Sequence, residues 1–181
     1  MAANGFGWAA EIPALCLTFL EGMSPAEVES QLCGDPTTRH TATFAEAADA
    51  QDYAAERFAL QFGEVDGWTV IVEPNGYVCS QDAVLEALSA NGPAAMVFWN
   101  VNMDSRFGYA RNGALVRVFD PVLGTGEVGD PLPEEAGLPA ATEPIPAALM
   151  LAEALTGVTV DGPWVLDRER PTVTCPLLPN R

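Results

Sequence analysis

Hydrophobic positions change their spacing along the chain, and each change predicts a different kind of element. Over residues 6–21, Trp8, Ile12, Leu15, Phe19 and Leu20 recur at helical spacing. That spacing predicts a helix, kinked or begun at Pro13 and ended by Gly22. "SPAEVESQLCG" carries a second helix start: Ser24 as N-cap, Pro25 in the first helical position and Glu27 completing a capping box. Val28 and Leu32 point inward, and Gly34 stops the helix. A third helical segment opens at Thr43 ("TFAEAADAQDYAAERF"), with Thr43 and Glu46 as another capping box.

The period then becomes two. Residues 58–63 and 68–73 read as strands joined across Asp66-Gly67. Trp68, Val70 and Val72 share one face of the second strand; Thr69, Ile71 and Glu73 share the other. Pro74-Asn75-Gly76 turns the chain, which places Glu73 where the strand is expected to emerge into water. "QDAVLEALSA" predicts an amphipathic helix capped by Ser80. Strands at 94–102, 106–111 and 114–119 follow, the last two joined by Asn112-Gly113. Pro, Gly and Glu dominate from Asp120 to Pro144, a long surface loop, before a helix at 145–155 and an edge strand at 173–177 limited by Pro171 and Pro176. The expected fold is α+β: N-terminal helices, an antiparallel meander of five or six strands interrupted by one inserted helix, and a C-terminal helix, all in a single domain over residues 1–181.

Composition narrows the function classes. At 181 residues, with 49% hydrophobic side chains and a mean hydropathy of +0.12, the chain is apolar enough to build a core. Its net charge of −17 arises from 25 acidic against 8 basic residues. Such a surface repels phosphate backbones and anionic lipid, so neither nucleic acid nor membrane is an expected partner. The acidity reads as solubility or as steering toward a basic protein. Cys16, Cys33, Cys79 and Cys175 form neither a CxxC motif nor a disulfide framework. With no signal-peptide pattern and no apolar run of membrane-spanning length, a cytoplasmic protein with reduced thiols is expected.

Each candidate for chemistry has a plainer reading beside it. The one histidine, His40, sits in the polar run "DPTTRHTAT" with no marked nucleophile, and reads as a solvated loop residue; no metal site is expected. Gly124-Thr-Gly126-Glu-Val-Gly129 matches G-x-G-x-x-G as a string, but Asp130-Pro131 follows where a helix is required. Asp120, Glu127, Asp130, Glu134 and Glu135 share the long loop without the spacing of a calcium loop. No cofactor is called for. Glu73 with Asp104 or Asp120 would make an acid–base pair at neighbouring strand ends. Aromatic side chains concentrate in the strands, and adjacent Phe98 and Trp99 must point to opposite faces. Either both faces are covered, or one is a contact surface bordered by Asn100, Asn102 and Arg106.

The blocks "GFGWAAEIPALCLTFLEGMSPAEV", "GWTVIVEPNGYVCS", "NVNMDSRFGYARNGALVRVFDP" and "AEALTGVTV" resemble an uncharacterised family of small soluble bacterial proteins from high-GC species, from about Gly5 to Val160. The resemblance implies one continuous domain and carries over no site residues. The architecture is also similar in style to bacterial immunity proteins. The expected function is a non-catalytic, acidic protein-interaction module that neutralises or regulates a basic partner, binding through Trp68, Glu73, Asn100, Asn102 and Arg106. The alternative is a small hydrolase or small-molecule-binding enzyme using Glu73, Asp104 and Asp120.

Overall fold

The computed structural model describes residues 5–32, 38–138 and 143–177. Among these described residues nine strands form one sheet: β1 (Leu15–Leu20), β2 (His40–Ala42), β3 (Arg57–Val65), β4 (Trp68–Pro74), β5 (Ala94–Trp99), β6 (Ser105–Arg111), β7 (Ala114–Asp120), β8 (Thr125–Val128) and β9 (Arg170–Pro176). Their order is β2-β9-β3-β4-β1-β5-β6-β7-β8, and every neighbouring pair is antiparallel. The fold is therefore α+β with an antiparallel sheet, as the patterning predicts, but with nine strands instead of five or six.

The largest departure is at the start. Residues 6–21 form no long helix; a short 3-10 turn (Gly7–Glu11) leads into β1, the strand at the centre of the sheet. All six residues of β1 are buried, because helices cover both faces of the sheet there. A run that is apolar on both faces loses its period of two, so spacing alone does not separate it from a helix. β2 and β8 are short and polar, one in the segment read as a loop around His40, the other inside the expected 120–144 loop. β9 is not an edge strand: it pairs with β2 on one side and β3 on the other. The third helix is also shorter than expected, since "YAAERF" leads into β3.

The helices are α1 (Pro25–Leu32), α2 (Phe44–Asp49), α3 (Asp82–Leu88), α4 (Pro144–Thr156) and α5 (Gly162–Leu166). Both capping boxes form, with Ser24 N–H donating to Glu27 at 2.7 Å and Thr43 N–H to Glu46 at 2.8 Å. Gln81, with no side-chain capping bond, is the N-cap of α3 in place of Ser80, whose hydroxyl donates to Tyr77 O. α4, α5, α2 and the 3-10 turn lie on the face bearing Leu17, Val72, Val97 and Trp99; α1 and α3 lie on the face bearing Ile71, Met96 and Phe62. Phe98 and Trp99 are thus both accommodated, and neither face is a broad open surface. Gly34 and Cys33 lie outside the described residues. Cys16 and Cys79 are free and buried, whereas Cys175 on β9 is disulfide-bonded, a departure from the expected set of reduced thiols.

Candidate functional site: one end of the sheet

Because the strands alternate in direction, the sheet has two unlike ends. One carries the hairpin tips Asp66-Gly67 and Asn112-Gly113, all with positive φ. The other gathers the C-terminal ends of β4, β5 and β7 and the starts of β1, β3 and β6. Exposed large apolar side chains concentrate at this second end: Tyr53 (50% exposed), Tyr77 (38%), Val101 (70%), Met103 (70%) and Leu123 (72%). Among the described residues only Val116, within β7, is exposed elsewhere. From β3 to β7 there are five inter-strand steps. At about 4.8 Å each these span roughly 24 Å, comparable to one side of a protein–protein contact.

Each loop that carries these side chains is held by an internal polar group. Glu73, expected in water, is fully buried, because β4 is covered on this face as well. Its carboxylate accepts the backbone N–H of Val78 at 2.7 Å and of Cys79 at 2.9 Å, closing the loop that presents Tyr77. Gly76 makes this possible: a Cβ there would lie 2.9 Å from Glu73 Oε2. Asn75 in the same turn donates to the Tyr53 hydroxyl at 2.7 Å. In the β5–β6 turn, Asn100 Oδ1 accepts from the backbone of Asn102 (2.9 Å) and Asp104 (3.0 Å), while its amide donates to the Asp104 carboxylate (2.9 Å). Val101 and Met103 stand out from that frame, Met103 at φ 67°. Asp120 Oδ1 accepts from Ser105 Oγ (2.5 Å) and the backbone of Val122 (2.8 Å) and Leu123 (2.9 Å), fixing the turn that lifts Leu123.

These same residues decide what chemistry the site supports. Burial raises the Glu73 pKa, and the amides of Cys79 and Val78 and the Cys16 thiol only partly oppose it. Burial, followed by the Glu73 charge, pushes both Cys16 and Cys79 thiols well up, so neither is poised as a thiolate. For Asp120, burial acts upward but the donors Ser105, Leu123 and Val122 prevail, and its pKa is lowered. Glu73, Asp104 and Asp120 are not hydrogen-bonded to one another; each serves its own loop. Among the described residues, no group of three His, Cys, Asp or Glu side chains is arranged to hold a metal ion.

The other binding candidates are scattered. Trp68 lies at the opposite end, half-buried against the core. Arg106 is engaged by Asp82 of α3 (2.6 Å) and Glu127 of β8 (3.1 Å). Asn100 and Asn102 do lie on the apolar end. His40 opens β2 and sits beside Thr38 O at 2.9 Å. Sequence reasoning missed Tyr53, Tyr77, Val101, Met103 and Leu123, whose one shared signal is a large apolar residue inside a polar turn.

Two clefts flank Pro144 at the start of α4, beside the apolar end. One, of about 330 Å³, is lined by Trp99, the 3-10 turn and the first turn of α4; the other, of about 180 Å³, lies between Phe119, Glu135 and Ala148. The wall of the smaller cleft is fixed by Arg117, whose guanidinium bonds Glu135 at 2.8 and 3.2 Å and Gly129 O at 3.1 Å. Burial acts upward on Glu135, but the Arg117 hydrogen bond and the Leu132 amide hold its pKa low.

A protein-family model, described as a family of unknown function (DUF6461), matches residues 5–170. The chain belongs to this family. The residues matched by DUF6461 take in the whole apolar end and the linings of both clefts. No curated protein and no solved structure matches the chain.

Proposed function

We propose that this DUF6461 protein is a non-catalytic interaction module that binds, and thereby neutralises or regulates, a basic partner protein, as a cytoplasmic protein of a high-GC bacterium. The observation that supports this reading is the concentration of exposed apolar side chains at one end of the sheet, on loops already locked by Glu73, Asn100 and Asp120. Single exposed apolar residues are ordinary, but a cluster on one rim is the usual mark of a contact surface. Locking the loops beforehand lowers the ordering cost of association. The net charge of −17 supplies attraction for a basic partner. Asn102 and Asn100 are the expected polar contacts beside Val101 and Met103.

The test is affinity capture from the native host at low and at moderate salt. The expected result is a stoichiometric basic protein that is lost with Met103→Glu or Leu123→Glu and retained with Val116→Glu. No such protein, or capture indifferent to the Met103 and Leu123 changes, overturns the proposal. The hydrolase alternative has one observation in its favour, the raised pKa of buried Glu73. Turnover of an ester or amide library that vanishes in Glu73→Gln, with the fold retained, would move the reading to that alternative.

A further inference from the structure

Resting on that reading, we infer that the cleft beside Trp99 is the anchor pocket for one aromatic or leucine side chain of the partner, carried on a segment with basic neighbours. Its floor is built and rigid. Trp99 is 6% exposed, and its Nε1–H donates to Ile12 O at 2.8 Å, which locks the indole against the 3-10 turn. The walls are Ala10 and Ile12 on one side and Pro144 and Ile145 on the other. Alanine and proline side chains have no rotamers to lose, so filling the space carries little ordering cost. A volume of about 330 Å³ lies at the small end of the range for ligand pockets, which suits a side chain better than a large cofactor.

Charge selects the neighbours of that side chain. Among the described lining residues Glu143 is the one charged side chain, and none is basic. Glu11, in the 3-10 turn, and Asp104, in the turn after Trp99, are both exposed nearby in the chain. A lysine or arginine beside the buried side chain is attracted to the Glu143 carboxylate and to the acidic surface as a whole, whereas an acidic neighbour is repelled. Trp99 is the last residue of β5, and the turn that carries Val101 and Met103 follows it directly in the chain.

The probe is acetyl-Lys-Phe-Lys-amide, titrated into the full chain and followed by amide and indole NMR shifts. Expected are shifts at the Trp99 indole N–H, the backbone of residues 9–12 and Ile145, weakened about threefold by Glu143→Gln and abolished by Ala10→Phe, which fills the cleft from an exposed position. Acetyl-Glu-Phe-Glu-amide should bind at least about tenfold more weakly, and acetyl-Lys-Ala-Lys-amide not at all. Equal binding of the acidic peptide, shifts elsewhere, or none overturns the inference. Thermal melting confirms that Ala10→Phe is folded. If Ala10→Phe leaves capture of the partner intact while Leu123→Glu abolishes it, the pocket assignment fails and the docking end stands; if neither matters, both fail.

Discussion

Glu73→Gln tests whether this buried acid holds a loop or performs chemistry. The substitution keeps the volume and one acceptor oxygen. In the native fold both carboxylate oxygens are occupied, Oε2 by Val78 N–H and Oε1 by Cys79 N–H. A glutamine meets one of these donors with its own amide, so one buried N–H loses its partner. Leaving a buried donor unsatisfied costs about 1–3 kcal/mol, and the lost bond was charge-assisted; relief of the buried charge offsets part of this. We expect a net loss of about 2 kcal/mol near neutral pH, or roughly 4–8 °C in Tm for a chain of this size. The pH dependence adds a second signature. Because burial raises the Glu73 pKa, the native chain binds more protons than the unfolded chain above the ordinary carboxyl range. That contribution to stability is present at low pH and is lost as pH rises through the raised value. Glutamine lacks it, so the gap between the two proteins should be widest in acid and narrow as pH rises. Denaturant melts at several pH values measure it. A glutamine variant as stable as wild type at every pH would refute the loop-holding role.

Three further outcomes follow from the geometry. Gly63→Ala places a Cβ 2.8 Å from the Trp164 ring, which is backed by the Arg170 guanidinium at 4.2 Å; α5 must shift, at a cost of about 1–3 kcal/mol, read as a fall in Tm and a change in near-ultraviolet circular dichroism. Cys16 and Cys79 should resist a thiol reagent in the native protein and react fully in guanidinium, as peptide mass spectrometry would show; rapid native labelling of either would contradict their raised pKa values. Asp120→Asn should speed hydrogen exchange at the Val122 and Leu123 amides by releasing the β7–β8 turn, leaving the Val78 and Cys79 amides unchanged.

How much of this was legible depended on whether the signal is local. The two capping boxes and the Asp-Gly and Asn-Gly hairpins are written in adjacent residues, and the structure contains them. β1 was hidden because burial on both faces erases alternation. β2 and β8 were hidden because a short, polar strand lacks apolar spacing and exists through its neighbour. Glu73 does stand at the end of β4, but it looked solvated because nothing local reveals the two amides that return five and six residues later to bond it. Asn100 was read as a binding residue and Asp104 and Asp120 as acid–base candidates, whereas the hydrogen bonds of all three shape turns. The apolar end needs the register of six strands to bring Tyr53 and Leu123 to one rim, and no window of sequence holds both.

The position of β1 has a consequence for how the polypeptide assembles during synthesis. β4 and β5 follow one another in the chain yet are kept apart by β1, so this early-made segment is the seam between two halves of the sheet. It leaves the ribosome before either flanking strand exists. Until residues 68–99 emerge, a six-residue apolar ribbon waits without a mate on either side, the period in which self-association is most dangerous. Closure of that seam is a long-range event, and only then do the two halves of the apolar rim become one surface.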